Sequence, residues 1–210
     1  MGLTGAGLER VGVFGGTFDP IHIGHLIAAE EARAVCGLSR VVFLPAASPP
    51  HKQGQPVTPA EHRLTMTELA IASHPRFSCS AIEMERAGPS YTVDTLAQLR
   101  ALWGDAVDIV FIIGLDSLVD LPTWREPQRV VELARLAVVD REPFEVDMAA
   151  LAAKVPAISE RVTFIPIPLI AIAASDLRER VRTGRSIKYQ VTEAVEGYIY
   201  AQGLYGANGR

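Results

Sequence analysis

Apolar positions along this chain fall into two alternating patterns. Short, nearly continuous apolar runs at 10–14, 40–45, 108–113, 136–139 and 162–167 predict strands buried on both faces, as in the middle of a parallel sheet. Residues 77–85 alternate enough to predict one more strand. Between these lie stretches with helical spacing, at 23–36, 61–73, 91–103, around 126–133, 147–155, 175–183 and 191–202. Gly37, Gly104 and Gly203 follow three of the helices in the usual stop position. Residues 46–59 hold four prolines and one glycine and predict a loop. Strands alternating with helices predict an α/β fold: a doubly wound, Rossmann-like parallel sheet with helices on both faces, in one domain over 1–210. Such sheets bind ligands at the carboxyl ends of their strands. The fingerprint G-x-G-x-x-G is missing after the first strand, so a bound NAD for hydride transfer is not expected.

Composition narrows this only a little. The chain is 49% hydrophobic and 21% charged, ordinary for a soluble globular protein. Its formal net charge of −4 argues against general nucleic-acid binding, which calls for a basic surface. Cys36 and Cys79 are not in C-x-x-C spacing, and both are expected reduced and buried. The longest apolar stretch, 162–174, is short of the roughly 20 residues a membrane helix needs and is broken by Pro166 and Pro168. Residues 1–9 lack the basic start and apolar run of a signal peptide, and Ala6 stands where myristoylation would need Ser or Thr. The expectation is a cytoplasmic protein with no membrane partner, compatible with a homo-oligomer.

The chemistry concentrates in GVFGGTFDPIHIGH at 12–25. Phe14 closes a strand; Gly15 and Gly16 let an anion approach the backbone without meeting a Cβ. After the Thr17–Pro20 turn, His22 and His25 open a helix whose start offers unpaired N–H groups and partial positive charge. Two imidazoles three residues apart share a face and can both donate to one polyanion. A zinc pair is the competing reading, with no third ligand at a sensible spacing. The whole string, G-x-F-G-G-x-F-D-P-x-H-x-G-H, resembles the N-terminal signature of the nucleotidyltransferases that carry H-x-G-H, and is most similar to the nicotinate mononucleotide adenylyltransferase family.

That resemblance implies transfer of AMP from ATP to nicotinate mononucleotide, giving deamido-NAD and pyrophosphate by direct in-line attack. It implies Mg²⁺ held mainly by the ATP phosphates, with no metal cage from the protein. It makes His22, His25 and Arg178 the catalytic residues, as charge-stabilising donors. Contacts to ATP are then expected from Phe14, Gly15, Gly16, Gly24, Gly114, Asp116, Ile172 and Ser175. Contacts to the mononucleotide are expected from Thr17, His51, Lys52, Tyr91, Thr92, Trp124 and Arg141.

Each string also has its own physics. His51 and Lys52 form either a solvated basic turn or a phosphate contact. In SYTVDTL at 90–96, Ser90 or Thr92 can cap a helix whose start would hold a small anion, which the resemblance implies is the pyridine carboxylate. Asp116 can accept from ribose hydroxyls or cap the next helix, and Trp124 can stack on a ring or simply pack. In IAASDLR at 172–178, the resemblance leads one to expect hydroxyls where Ala173 and Ala174 stand. Ser175 is then the expected N-cap, and the missing hydrogen bonds would weaken ATP binding by about 0.5–1.5 kcal/mol each. An adenylyltransferase for another phosphate acceptor, or a catalytically silent nucleotide-binding protein, is the alternative.

Overall fold

A computed structural model describes residues 8–49, 54, 56–86, 88–140, 146–168 and 170–206. Among them, six strands form one wholly parallel sheet: β1 (Glu9–Gly16), β2 (Arg40–Pro45), β3 (Phe77–Cys79), β4 (Val107–Gly114), β5 (Arg135–Asp140) and β6 (Val162–Pro166). Their order is β3-β2-β1-β4-β5-β6. The order reverses between β1 and β4, which is the switch point where a doubly wound sheet opens a crevice.

The helices are α1 (Ile23–Cys36), α2 (Ala60–Ile71), α3 (Thr92–Trp103), α4 (Leu115–Asp120), α5 (Pro127–Leu133), α6 (Met148–Lys154), α7 (Ile158–Arg161), α8 (Ala174–Arg182) and α9 (Glu193–Ala201). Side chains of each strand alternate between two cores. Val11 and Val13 of β1, Ile109, Phe111 and Ile113 of β4, and Leu136 and Val138 of β5 pack with α3, α4 and α5. Phe14, Val110, Ile112, Ala137 and Val139 pack on the other face with α1, α2, α8 and α9. The continuous apolar runs are therefore two period-2 patterns interleaved, each burying its own set of side chains.

Two differences from the sequence reading have local causes. The strand expected at 77–85 stops at Cys79, because the Ser80 hydroxyl accepts from the Ile82 N–H at 3.3 Å and the chain turns there. A side chain that bonds its own neighbouring backbone competes with a sheet ladder. Helices α4 and α7, of six and four residues, are too short to show a periodic pattern and were not expected.

Candidate active site

The bend after β1 is packed by aromatic rings. A Cβ on Gly16 would lie 2.8 Å from the Phe18 ring, and one on Gly15 would lie 3.2 Å from Phe111. The paired glycines thus make room for rings of the protein itself, a reason the sequence reading, which invoked only an approaching anion, did not supply. Phe18 holds φ at +50°, in the left-handed region, and its ring meets Phe14 edge-on at 5.6 Å. Such a backbone persists only where its surroundings hold it.

His22 is the extended N-cap of α1, and His25 follows as its third residue. The two imidazoles stack at 3.6 Å with 24° between their planes. Gly24 permits this, since a Cβ there would lie 3.1 Å from His22 Nδ1. His25 Nδ1 accepts from the His22 backbone N–H at 3.1 Å, so the neutral His25 ring carries its hydrogen on Nε2. The helix start is less open than expected. The Ile23 N–H donates to the Gln190 carbonyl at 2.9 Å and the His25 N–H to the His22 carbonyl at 2.9 Å. With the His22 N–H also engaged, the imidazoles lead at this helix tip.

Two cavities flank the bend. The first, of about 310 Å³, is lined by Phe14, Gly15, Gly16, Thr17, Tyr91, Thr92, Gly114 and Trp124 among the expected residues. The second, of about 450 Å³, is lined by Phe14, His22, Gly24, His25, Gly114, Asp116, Ile172, Ser175 and Arg178. Phe14 and Gly114, at the ends of β1 and β4, belong to both. Gly15 and Gly16, expected at ATP, line the first cavity and not the second. His51, Lys52 and Arg141 lie outside the described residues.

Both expected caps are corrected. Tyr91 is the N-cap of α3, without a side-chain bond. Thr92 is already inside the helix, and Ser90 Oγ is taken by the Ser48 N–H at 3.2 Å across the pocket rim. At α8 the N-cap is Ala173, again without a side-chain bond, so Ser175 is inside the helix as well. Asp116 does not cap α4, whose N-cap is Gly114. Trp124 stands edge-on to Phe111 at 6.4 Å, and the Arg125 guanidinium lies 4.9 Å over the Tyr91 ring.

A buried polar hub, not anticipated from sequence, ties these parts together. Asp19 is 3% exposed. Its carboxylate accepts from Tyr205 Oη at 2.7 Å and from the Thr58 N–H at 3.2 Å. Its carbonyl accepts from Arg178 Nη1 at 2.7 Å. Arg63, 1% exposed, donates to the carbonyls of Thr58 and Thr17 at 2.8 Å and of Ala47 at 3.2 Å. Burial pushes the Tyr205 hydroxyl pKa far up, with the Asp19 charge adding to it. Desolvation pulls the Arg63 guanidinium down from its ordinary value, opposed chiefly by Asp19. Arg63 reads as one charged residue on a helix, and Asp19 as a turn residue before proline. Only Asp19's place within the 12–25 string could have flagged it.

The parallel sheet and its switch-point crevice define a doubly wound α/β protein, with the dihistidine helix tip opening onto the second of its two cavities. The chain belongs to the cytidylyltransferase-like family, whose model matches residues 13–181. A relative from Thermomicrobium roseum, named "Probable nicotinate-nucleotide adenylyltransferase", is 54% identical over 94% of this chain and 92% of its own length. Relatives with the same name from Roseiflexus and Thermus thermophilus are 48% and 46% identical, each over 93% of this chain and 97% and 99% of theirs. Among solved structures, Plasmodium falciparum nicotinic acid mononucleotide adenylyltransferase complexed with NaAD matches with a TM-score of 0.78. It covers 95% of this chain and 98% of its own, and at 20% identity the likeness speaks to the fold.

Proposed function

We propose that this chain is a nicotinate-nucleotide adenylyltransferase that transfers AMP from ATP to nicotinate mononucleotide. The observation that carries this reading is the meeting of two cavities at Phe14 and Gly114, one of them bearing His22, His25 and Arg178. In-line transfer needs two phosphates brought together, and two abutting cavities suit that task. The acceptor phosphate is already ionised at neutral pH, so no general base is called for. The His25 Nε2–H, the His22 ring and the Arg178 guanidinium instead stabilise charge as it develops on the transferred phosphoryl group. The second cavity receives ATP, with Ile172, Ser175, Asp116 and Gly24 on its walls. The first receives the mononucleotide, its ring near Trp124 and Tyr91, with Gly15, Gly16 and Thr17 at the bend.

The start of α3, carrying Tyr91 and Thr92 on the first cavity, has partial positive charge that favours a pyridine carboxylate over a neutral carboxamide. His51, Lys52 and Arg141 complete the mononucleotide set in this proposal. Mg²⁺ fits as a passenger on the triphosphate. Among the described residues no three His, Cys, Asp or Glu side chains are grouped to hold a metal, and Asp116 is the one carboxylate on the second cavity. When bound there, Mg²⁺ supplies charge neutralisation on the phosphates. Among the described residues no helix is long and apolar enough to cross a membrane; a cytoplasmic setting is part of the proposal.

Pyrophosphate release tests the reading. Turnover is expected with ATP plus nicotinate mononucleotide, and much slower turnover with nicotinamide mononucleotide. Equal rates would remove the α3 argument, and turnover only with another phosphate acceptor would overturn the substrate. Binding of ATP with no release for any acceptor would favour a silent nucleotide-binding protein.

A further inference from the structure

Glu83 sits in the turn after β3 and lines the first cavity beside Ser90, Tyr91, Thr95 and Trp124. It is 8% exposed. One of its oxygens is occupied: Thr95 Oγ1 donates to Oε1 at 2.8 Å, and Arg86 Nη2 in turn donates to Thr95 Oγ1 at 3.0 Å. The other, Oε2, is shielded from solvent and has no hydrogen-bond partner among the described residues. Leaving a buried carboxylate oxygen unmet costs stability, and such a group on a pocket wall calls for a compensating interaction.

We propose that Glu83 is a substrate-binding residue whose second oxygen reads the positive charge of the N-glycosylated pyridinium ring; this rests on nicotinate mononucleotide being the acceptor. A pyridinium ring has a full positive charge but no N–H to donate, so a protein meets it with aromatic faces and an opposing charge. This cavity has both, in Tyr91, Trp124 and Glu83. The nicotinate ring is also a dipole, with an anionic carboxylate and a cationic nitrogen on one small ring. The pocket wall offers the complement. The start of α3 favours the carboxylate, and Glu83, bonded to Thr95 one turn into that helix, favours the ring nitrogen.

The test compares the dinucleotide product with its reduced form, in which the pyridinium becomes a neutral dihydropyridine while the sugars and carboxylate stay the same. Calorimetric titration of the wild type should show tighter binding of the oxidised form. Glu83→Gln should weaken the oxidised form about tenfold, the scale of one desolvated charge contact, and change the reduced form less than about twofold. Glu83→Asp, which keeps the charge, should retain part of the preference. A wild type that binds both forms equally overturns the inference, and needs no variant that might misfold. Equal loss on both forms in Glu83→Gln also overturns it, assigning Oε2 to a ribose hydroxyl or to the fold. Pyrophosphate release by the wild type with nicotinate mononucleotide separates the two readings. If release is absent, the proposed function fails; if release occurs without the oxidised-form preference, only Glu83's role does.

Discussion

Replacing Arg63 with Met should loosen both the fold and the mononucleotide side of the site. The guanidinium is buried and is spent on three backbone carbonyls, those of Thr58, Thr17 and Ala47. Thr17 belongs to the bend after β1, while Ala47 and Thr58 lie near opposite ends of the loop between β2 and α2. One side chain thus fastens three segments that share no secondary structure. Methionine would fill most of the aliphatic volume but leave three acceptors unmet, at about 1–3 kcal/mol each when buried. Removing an ion whose burial opposes its charge returns part of that. The net expectation is a loss of about 3–5 kcal/mol, against a total of about 5–15 kcal/mol for a typical domain.

With a urea slope of about 2–3 kcal/mol per molar, equilibrium unfolding should show the midpoint falling by about 1–2.5 M. In steady-state kinetics the KM for nicotinate mononucleotide should rise more than that for ATP, because Thr17 and Ala46, which precedes Ala47, line the first cavity and not the second. A loss below about 1 kcal/mol with both KM values unchanged would refute the reasoning, since three half-buried carbonyls facing an apolar side chain cannot be that cheap.

Ala173→Ser should supply the cap oxygen that α8 lacks, raising unfolding stability by about 0.5–2 kcal/mol and tightening ATP; an unmoved denaturation midpoint would refute the capping argument. His25→Ala should lower kcat about 10²–10³-fold with modest change in ATP binding, and near-normal turnover would refute its donor role. Tyr205→Phe should cost about 1–3 kcal/mol at pH 7 by leaving Asp19 short of a donor. Because the folded Tyr205 pKa is raised, its contribution is whole below the unfolded value of about 10 and is lost as pH climbs above it. Wild-type stability should therefore fall more steeply than that of Tyr205→Phe above about pH 10, and parallel curves from pH 7 to 11 would count against the assignment.

The positions of strands and long helices were legible because burial on both faces leaves unbroken apolar runs. Which face each residue takes was not, since Val13 and Phe14 look alike until α1 and α3 are placed on opposite sides. The dihistidine string was legible as a helix start with two imidazoles on it, yet the role of Gly24 is a stacking distance between two rings that no spacing rule contains. Capping rules failed at Ser90 because its hydroxyl is claimed by Ser48, 42 residues away. Tyr205 was invisible for the same reason on a larger scale, being 186 residues from Asp19. Glu83 was hidden inside an expected strand that the Ser80 hydroxyl cuts short.

These long-range contacts answer a difficulty that the motif itself creates. If the bend receives phosphates as proposed, it brings carbonyl oxygens as well as N–H groups and imidazoles close to them, and unmet carbonyls would repel the ligand. Here the Thr17 carbonyl accepts from Arg63 and the Asp19 carbonyl from Arg178. Each guanidinium cancels a carbonyl at one side of the bend, and Arg178 lines the second cavity while doing so. Asp19 then holds Thr58 and Tyr205 through its carboxylate, keeping that negative charge on protein donors. The bend that leads into the His22–His25 tip is therefore held by an arginine in α2, an arginine in α8 and Tyr205. In the proposed reading a polyanion site in this fold is a property of that whole network, and the fourteen-residue string, buried or half-buried throughout, is one part of it.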